Sequence, residues 1–363
     1  MSIKNRILSV YRNQQPDKIP FGMYQTYHRP GTAERHSRNS GMGILEFYPV
    51  VSLLGPPWLL WPGYMSEVKN STFNINYSWD NGKMIEVRTM ETPVGVLSTH
   101  IRKDSSYGSS WVEQPYIKST EDYKIMQYIV ENTIFAHHGK TIKEKVRDMG
   151  EDGVILGRID RAPYQKLIVE LTKPENFFID LFTNPEPIEE LIQAMAYREA
   201  EQIEMALNSD VEVIWQVDNI TSDMTPPELF EKYNFPVYKL NGEKCKSAGK
   251  VFAVHFDGKI AALADMINKT SVDVIDSFSM PVMGGDLEIE EALKLLPGKV
   301  LCPNFPTSLC SASENEIINY LGKMYRAFGG KPFMIQLSED FDFEYYDHML
   351  RTFSKIDFTE FDS

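Results

Sequence analysis

KVFAVHFDGKIAALADMINKTSVDVIDSFSM, residues 250–280, decides the fold. It opens on an apolar, β-branched run, Val251 to Val254, and turns polar at once through His255, Asp257 and Gly258. An amphipathic stretch over 259–269 follows. A second run, Val272 to Ile275 with only Asp273 polar, then ends at Asp276 and Ser277. Short runs that are apolar throughout are how strands covered on both faces read, as in a parallel sheet flanked by helices. Strand, helix, strand is therefore the local unit.

Working outward, the unit repeats. GVILGRID (153–160) and VEVIWQVDN (211–219) precede it, and KVLCPNFP (299–306) and KPFMIQLSED (331–340) follow. Helical patterns fill the gaps at 185–209, 226–247, 288–296, 312–328 and 343–355. The fourth of these starts at Ser313 with Glu316 three residues on, a capping-box signature. With IPFGMY (19–24) there are seven strands, and an eighth is expected between 85 and 150. Eight such units close into a (β/α)8 TIM barrel of the α/β class. An open doubly wound sheet is the rival, but no G-x-G-x-x-G or G-x-x-x-x-G-K-[ST] follows any strand, so the barrel is favoured.

Residues 26–120 break the repeat. They hold Trp58, Trp61, Trp79 and Trp111 and a hairpin signal, NYSWDNGKMIEV, with turn chemistry at Asp80-Asn81-Gly82. They are expected to be an aromatic-rich elaboration over one end of a single barrel domain spanning 1–363.

Thirty-seven basic against fifty-one acidic residues give a formal charge of −14. Such a surface repels phosphates, which argues against nucleic acid or an anionic membrane as a general partner. Cys245, Cys302 and Cys310 are too few and scattered for a disulfide framework. The N-terminus lacks the apolar core of a signal peptide. The greasy stretch 44–65 is interrupted by Pro49, Pro56, Pro57 and Pro62, so it reads as buried or pocket-lining chain. A soluble cytoplasmic protein is expected.

In such barrels chemistry sits at the C-terminal ends of the strands. Those ends read Arg158 and Asp160, Asp218 and Asn219, His255 and Asp257, Asp276 and Ser277, Asn304, then Ser338, Glu339 and Asp340. His255 and Asp257 stand two apart, so a strand points both to one side. An imidazole and a carboxylate converging this way make half of a metal site. The plainer alternative is a hydrogen-bonded histidine and an aspartate that caps the next helix. Glu339, or its neighbour Asp340, would complete a His-plus-two-carboxylate site with an open position for substrate. Otherwise SEDFDFE is a solvated acidic loop. Cys302 offers a thiolate or a small buried hydrophobe.

These residues resemble the uroporphyrinogen decarboxylase superfamily, which includes decarboxylases and cobalamin-dependent methyltransferases. QPDKIPFGMY is similar to its opening strand, GVILGRIDRAPYQKLIVEL to a strand and helix start, VDNITSDMTPPELFEKYNFPVYK to an acidic strand end, and KVFAVHFDG to its H-x-C-G strand. The decarboxylases' R-Q-A-G-R-Y is absent from MYQTYHRPGTAERHSR, and their late histidine falls at Glu339. A mouth ringed with carboxylates would repel a polyanionic porphyrinogen, which wants arginines. Tetrapyrrole decarboxylation is thus the runner-up.

The methyltransferase branch uses zinc held by H-x-C and a late cysteine. By that resemblance His255, Asp257 and Glu339 hold Zn²⁺, with both thiolates replaced by carboxylates. A harder Lewis acid suits an ether oxygen and a phenolate leaving group. The stretch METPVGVLST and the aromatic insertion resemble the methyl-ether branch, which moves a methyl group onto the Co(I) corrinoid of a separate partner protein. The chain has no corrinoid-binding D-x-H-x-x-G of its own. Asp218 and Asn219 are expected to orient substrate or back the metal, and Arg158 to bind an anionic ring substituent. Tyr24, Tyr27 and Trp58 are expected to stack on the ring, or else to be ordinary core.

Overall fold

The structure is a computed structural model that describes residues 1–54, 66–103, 110–358 and 361. In it the apolar runs pair as one eight-stranded parallel sheet. Its strands are β1 Phe21–Tyr24, β2 Met42–Pro49, β3 Gly153–Ile159, β4 Val213–Gln216, β5 Val251–Val254, β6 Val274–Phe278, β7 Val300–Pro303 and β8 Ile335–Leu337. Each lies beside its neighbours in chain order, and β1 also pairs with β8, Phe21 opposite Ile335. A bridge between Asn304 and Gln336, with the Phe305 N–H donated to the Gln336 carbonyl at 2.8 Å, draws β7 to β8. The expected α/β barrel is the one observed, nearly closed on itself.

The eighth strand is not between 85 and 150, where the sequence reading put it. It is β2, MGILEFYP, at the head of the greasy stretch. Its alternation is blurred, because several of its residues are only half buried, and the prolines that follow hide its β character.

The chain divides into two compact units. One comprises Met1–Tyr48, Lys140–Arg158 and Asp210–Ser363; the other comprises Pro49–Gly139 and Ile159–Ser209. The first carries the barrel strands, with only Pro49 of β2 and Ile159 of β3 falling outside it. Its core joins Leu45, Val154, Val213, Val251, Val274 and Val300 to one face of the helix Ile3–Tyr11, through Ile7, Val10 and Tyr11. Gly43 leaves room there: a Cβ on it would stand 2.4 Å from an Ile7 methyl, and that side chain would have to shift. That helix begins on Ser2, whose hydroxyl accepts from the Asn5 N–H.

The expected capping box at Ser313 and Glu316 starts the helix Glu314–Phe328. Residues 227–247 are helical as read, with a π turn at Phe230–Asn234 just before Pro236. Proline has no N–H to give to an i−4 carbonyl, and the wider turn absorbs that loss.

The second unit contains an antiparallel meander of four strands, Thr72–Asp80, Lys83–Thr92, Gly95–Lys103 and Ser110–Gln114, in that order. The expected hairpin is its first turn. Asn81 and Gly82 both take positive φ, 48° and 76°, as a two-residue turn matched to strand twist requires. The helices Thr120–Glu131 and Glu186–Leu207 pack together in the same unit. Among the described residues no helix is long and apolar enough to cross a membrane.

Candidate active site

The polar strand ends of the first unit gather around His255, which follows β5 and is 7% exposed. Its Nε2 lies 3.3 Å from Asp257 Oδ2. Its Nδ1 accepts the backbone N–H of Ser277, at the end of β6, at 3.1 Å. The Trp215 ring, from β4, packs edge-to-face with the imidazole, with centroids 6.0 Å apart.

Asp257 has a second partner on that same oxygen. Asn219, in the loop after β4, donates its side-chain amide to Asp257 Oδ2 at 2.6 Å. Asn219 has φ 51°, a left-handed conformation that asparagine tolerates better than most residues. Asn219 therefore supports Asp257, while Asp218 turns away to accept the Tyr238 hydroxyl at 2.6 Å.

Glu339, after β8, accepts from the Asn304 amide at 2.8 Å, and Asn304 Oδ1 in turn accepts the Ser338 N–H. Ser338 and Ser277 share a hydroxyl contact at 3.1 Å, which ties the ends of β8 and β6 together. Deeper in the barrel Asp276, fully buried, accepts from the Tyr24 hydroxyl at 3.3 Å.

The result is a surplus of carboxylates. The buried Asp276 and the half-buried Asp257 and Glu339 all act electrostatically on His255, and among the described residues none of them is paired with a lysine or arginine. Burial drives the Asp276 carboxyl above its ordinary range, and the nearby imidazole only partly offsets it. Glu339 is raised too, by burial and then by the charges of Asp257 and Asp340. For His255 burial favours the neutral ring, but Asp257 first, then Asp276 and Glu339, outweigh it and raise its pKa. Asp257 ends lower than usual despite burial, because His255 and Asn219 stabilise its charge. A group of acids around a single imidazole is a place built to receive a cation or protons.

Of the predicted site residues, the structure brings His255, Asp257 and Asn219 into contact, and Glu339 into their field. Tyr27 stands by Glu339 and Asp340, whose charges, with burial foremost, raise its hydroxyl pKa; its ring faces Phe341. Tyr24 is a buried core residue whose ring meets Phe47 and Trp215 edge-on. Arg158 is buried at the end of β3, and Trp58 lies outside the described residues. Cys302 is fully buried, and burial raises its thiol pKa far above the usual range, so it is a core hydrophobe rather than a thiolate. Among the described residues no three His, Cys, Asp or Glu side chains already stand as a finished metal cage.

Reading strand ends did not assign roles to Ser277, Asn304 and Trp215. Their positions were visible in the sequence, but their partners depend on which strand ends face one another across the barrel.

Comparison with known proteins agrees with this architecture. A family model described as uroporphyrinogen decarboxylase (URO-D) matches residues 100–341. No curated protein matches. Among solved structures, a methyltransferase from Methanosarcina mazei superposes with a TM-score of 0.58 at 12% identity, covering 100% of both chains. An endo-beta-1,4-mannanase from Thermotoga petrophila gives a TM-score of 0.42 at 10% identity, over 95% of this chain and 77% of that one. The IOLI protein with a binding zinc atom gives 0.32 at 15% identity, over 62% of this chain and 80% of that one.

Proposed function

Because the chain belongs to the uroporphyrinogen decarboxylase family, we propose that it is a methyltransferase of that family, which takes a methyl group from a small methylated compound, an aromatic methyl ether being the best fit, and passes it to the Co(I) corrinoid of a partner protein. One observation carries this reading: the buried Asp276 and the half-buried Asp257 and Glu339 all act on His255, and among the described residues none of the three is paired with a lysine or arginine. A porphyrinogen bearing many carboxylates would be repelled there, whereas a divalent ion and a neutral ether would not.

The residues suit a hard divalent ion in kind and in spacing. Two ligands about 2.0–2.1 Å from one tetrahedral zinc stand about 3.3 Å apart, and His255 Nε2 and Asp257 Oδ2 are 3.3 Å apart. That is long for a charge-assisted hydrogen bond, which favours about 2.7–2.9 Å. His255, Asp257 and Glu339 would hold the ion, and bound zinc would supply Lewis acidity toward the ether oxygen. Glu339 can keep the Asn304 amide on Oε1 and offer its other oxygen. His255, whose Nδ1 now accepts the Ser277 N–H, carries the proton of its neutral form on Nε2; freeing Nε2 for the ion moves that proton to Nδ1, and the Ser277 contact is the one given up.

The chain's own part is then positioning. Asn219 aims Asp257, Trp215 fixes the plane of the imidazole, and the tied ends of β6 and β8 hold the rim on which Glu339 sits. Tyr27 supplies an aromatic surface beside Glu339.

The test is methyl transfer from a panel of methoxylated aromatics to a Co(I) corrinoid protein, followed by the cobalt spectrum, with zinc analysis of wild type and His255→Ala. Transfer that depends on stoichiometric zinc, with both lost in the variant, is the expected result. Full transfer by zinc-free protein would overturn the metal role, and conversion of uroporphyrinogen to coproporphyrinogen would overturn the reaction class.

A further inference from the structure

The first strand of the meander, Thr72–Asp80, bounds its sheet, and among the described residues its one strand neighbour is Lys83–Thr92. Long exposed edges invite pairing with another chain, and proteins usually blunt them with lysine, proline, a bulge or short length. This edge uses none of these. TFNINYSWD runs nine residues in unbroken register, Thr72 opposite Glu91 through to Asp80 opposite Lys83, and its single charge is the terminal Asp80.

The side chains on the edge are as unusual as its backbone. Phe73, Ile75, Tyr77 and Trp79 share one face by strand alternation. The neighbouring strands bury that same face through Met90, Leu97 and Ile101 and through the Arg88–Glu86 ion pair opposite Ile75 and Tyr77, yet Tyr77 is 60% and Trp79 73% exposed. The apolar face thus overhangs at its outer edge.

We propose that the chain forms a symmetric dimer through this edge, two Thr72–Asp80 strands pairing antiparallel about a two-fold axis at Asn76. A two-fold contact must be complementary to itself, and this strand is. Centring on Asn76 sets Phe73 against Trp79 and Ile75 against Tyr77, twice each, on the apolar face. On the other face Thr72 meets Asp80, Asn74 meets Ser78 and Asn76 meets Asn76. Aromatic and aliphatic partners lie opposite one another, and no like charges do. Centring on Ile75 or Tyr77 leaves an aromatic or a backbone pair without a partner. Covering Tyr77 and Trp79 removes on the order of 300 Å² per copy. With the paired backbone, that approaches the ~1,000 Å² total that a specific interface needs.

The test uses the full chain. Sedimentation velocity across the micromolar range is expected to show a dimer for wild type. Asn76→Lys places two lysines face to face and is expected to weaken dimerisation at least tenfold, while an equal mixture of Asn76→Lys and Asn76→Glu restores it. Because residues opposite each other in antiparallel strands have Cα atoms about 4.5–5.5 Å apart, within disulfide reach, oxidised Asn76→Cys is expected to cross-link. Thr72→Cys, opposite Asp80, is not. Cys245, Cys302 and Cys310 are buried and do not compete. A monomeric wild type, a dimer indifferent to Asn76→Lys, or equal cross-linking of the two cysteine variants would each overturn the proposal.

Discussion

Two ionic clusters, one in each unit, show how differently the same residue types can be used. In the second unit Lys166 Nζ lies 2.6 Å from Asp160 and 3.2 Å from Glu170, and Arg161 lies 2.9 Å from the other oxygen of Glu170. Asp160 also accepts the Leu54 N–H and the Gln202 amide. Two carboxylates face two cations and the hydrogen bonds are filled, so burial, which favours neutral lysine, is outweighed and the Lys166 pKa ends raised. Around His255 in the first unit, three carboxylates face one imidazole. A balanced cluster is complete without any ligand. The unbalanced one holds more acid than base, and the proposed zinc would offset that surplus.

The widest separation between the two is expected from Lys166→Met. Removing one partner of a buried pair strands the others, at a cost of about 3–5 kcal/mol. Urea denaturation should register that loss, while zinc binding by the folded fraction should not change. If zinc binding fell with stability, the clusters would not be independent in the way their charge balance implies.

Glu339→Gln should do the reverse. The amide keeps an oxygen for Asn304 but removes one of the surplus charges. In the metal-free protein the Glu339 pKa is raised, so above the ordinary carboxylate range its ionised form opposes folding. The variant should therefore be more stable than wild type near neutral pH, and zinc affinity should fall on the order of 100-fold. A variant that is destabilised, with zinc affinity intact, would assign Glu339 to structure.

The unbalanced cluster also predicts a pH dependence that the balanced one lacks. His255 and Glu339 both hold their protons to higher pH than free side chains do, and zinc requires both protons gone. Affinity measured against a competing chelator should therefore climb with pH, by up to about tenfold per unit for each proton displaced, and level once both are lost. The His255 ring proton, followed by nitrogen NMR, should move from Nε2 to Nδ1 on loading. A pH-independent affinity would show that these groups do not bind the ion.

Much of this was open to a reader of the sequence, and the line where it stopped has a physical cause. Seven strands, the Ser313 capping box and the Asn81-Gly82 turn are local features, written in periodicity and turn chemistry within a dozen residues. The strand Met42–Pro49 is hidden because its half-buried faces blur the alternation, and residues 85–150, where the eighth strand was expected, hold antiparallel strands as β-rich in sequence as barrel strands. His255 and Asp257 could be paired because they are two apart on one strand. The Ser277 N–H on His255, and Asn304 on Glu339, could not. Each joins strand ends from different parts of the chain, and those meet only once barrel register is set.

The smallest expected effect separates geometry from charge at Asn219. Its left-handed backbone and its amide bond to Asp257 are two roles in one residue. Asn219→Gly keeps the backbone conformation at little cost and removes the amide; Asn219→Ala removes the amide and adds about 1 kcal/mol of strain. Both should weaken zinc binding by about tenfold, the scale of losing a group that orients a ligand. Only the alanine variant should also lower the denaturation midpoint. If the glycine variant bound zinc like wild type while the alanine variant did not, the loop's shape and not its hydrogen bond would be what aims Asp257.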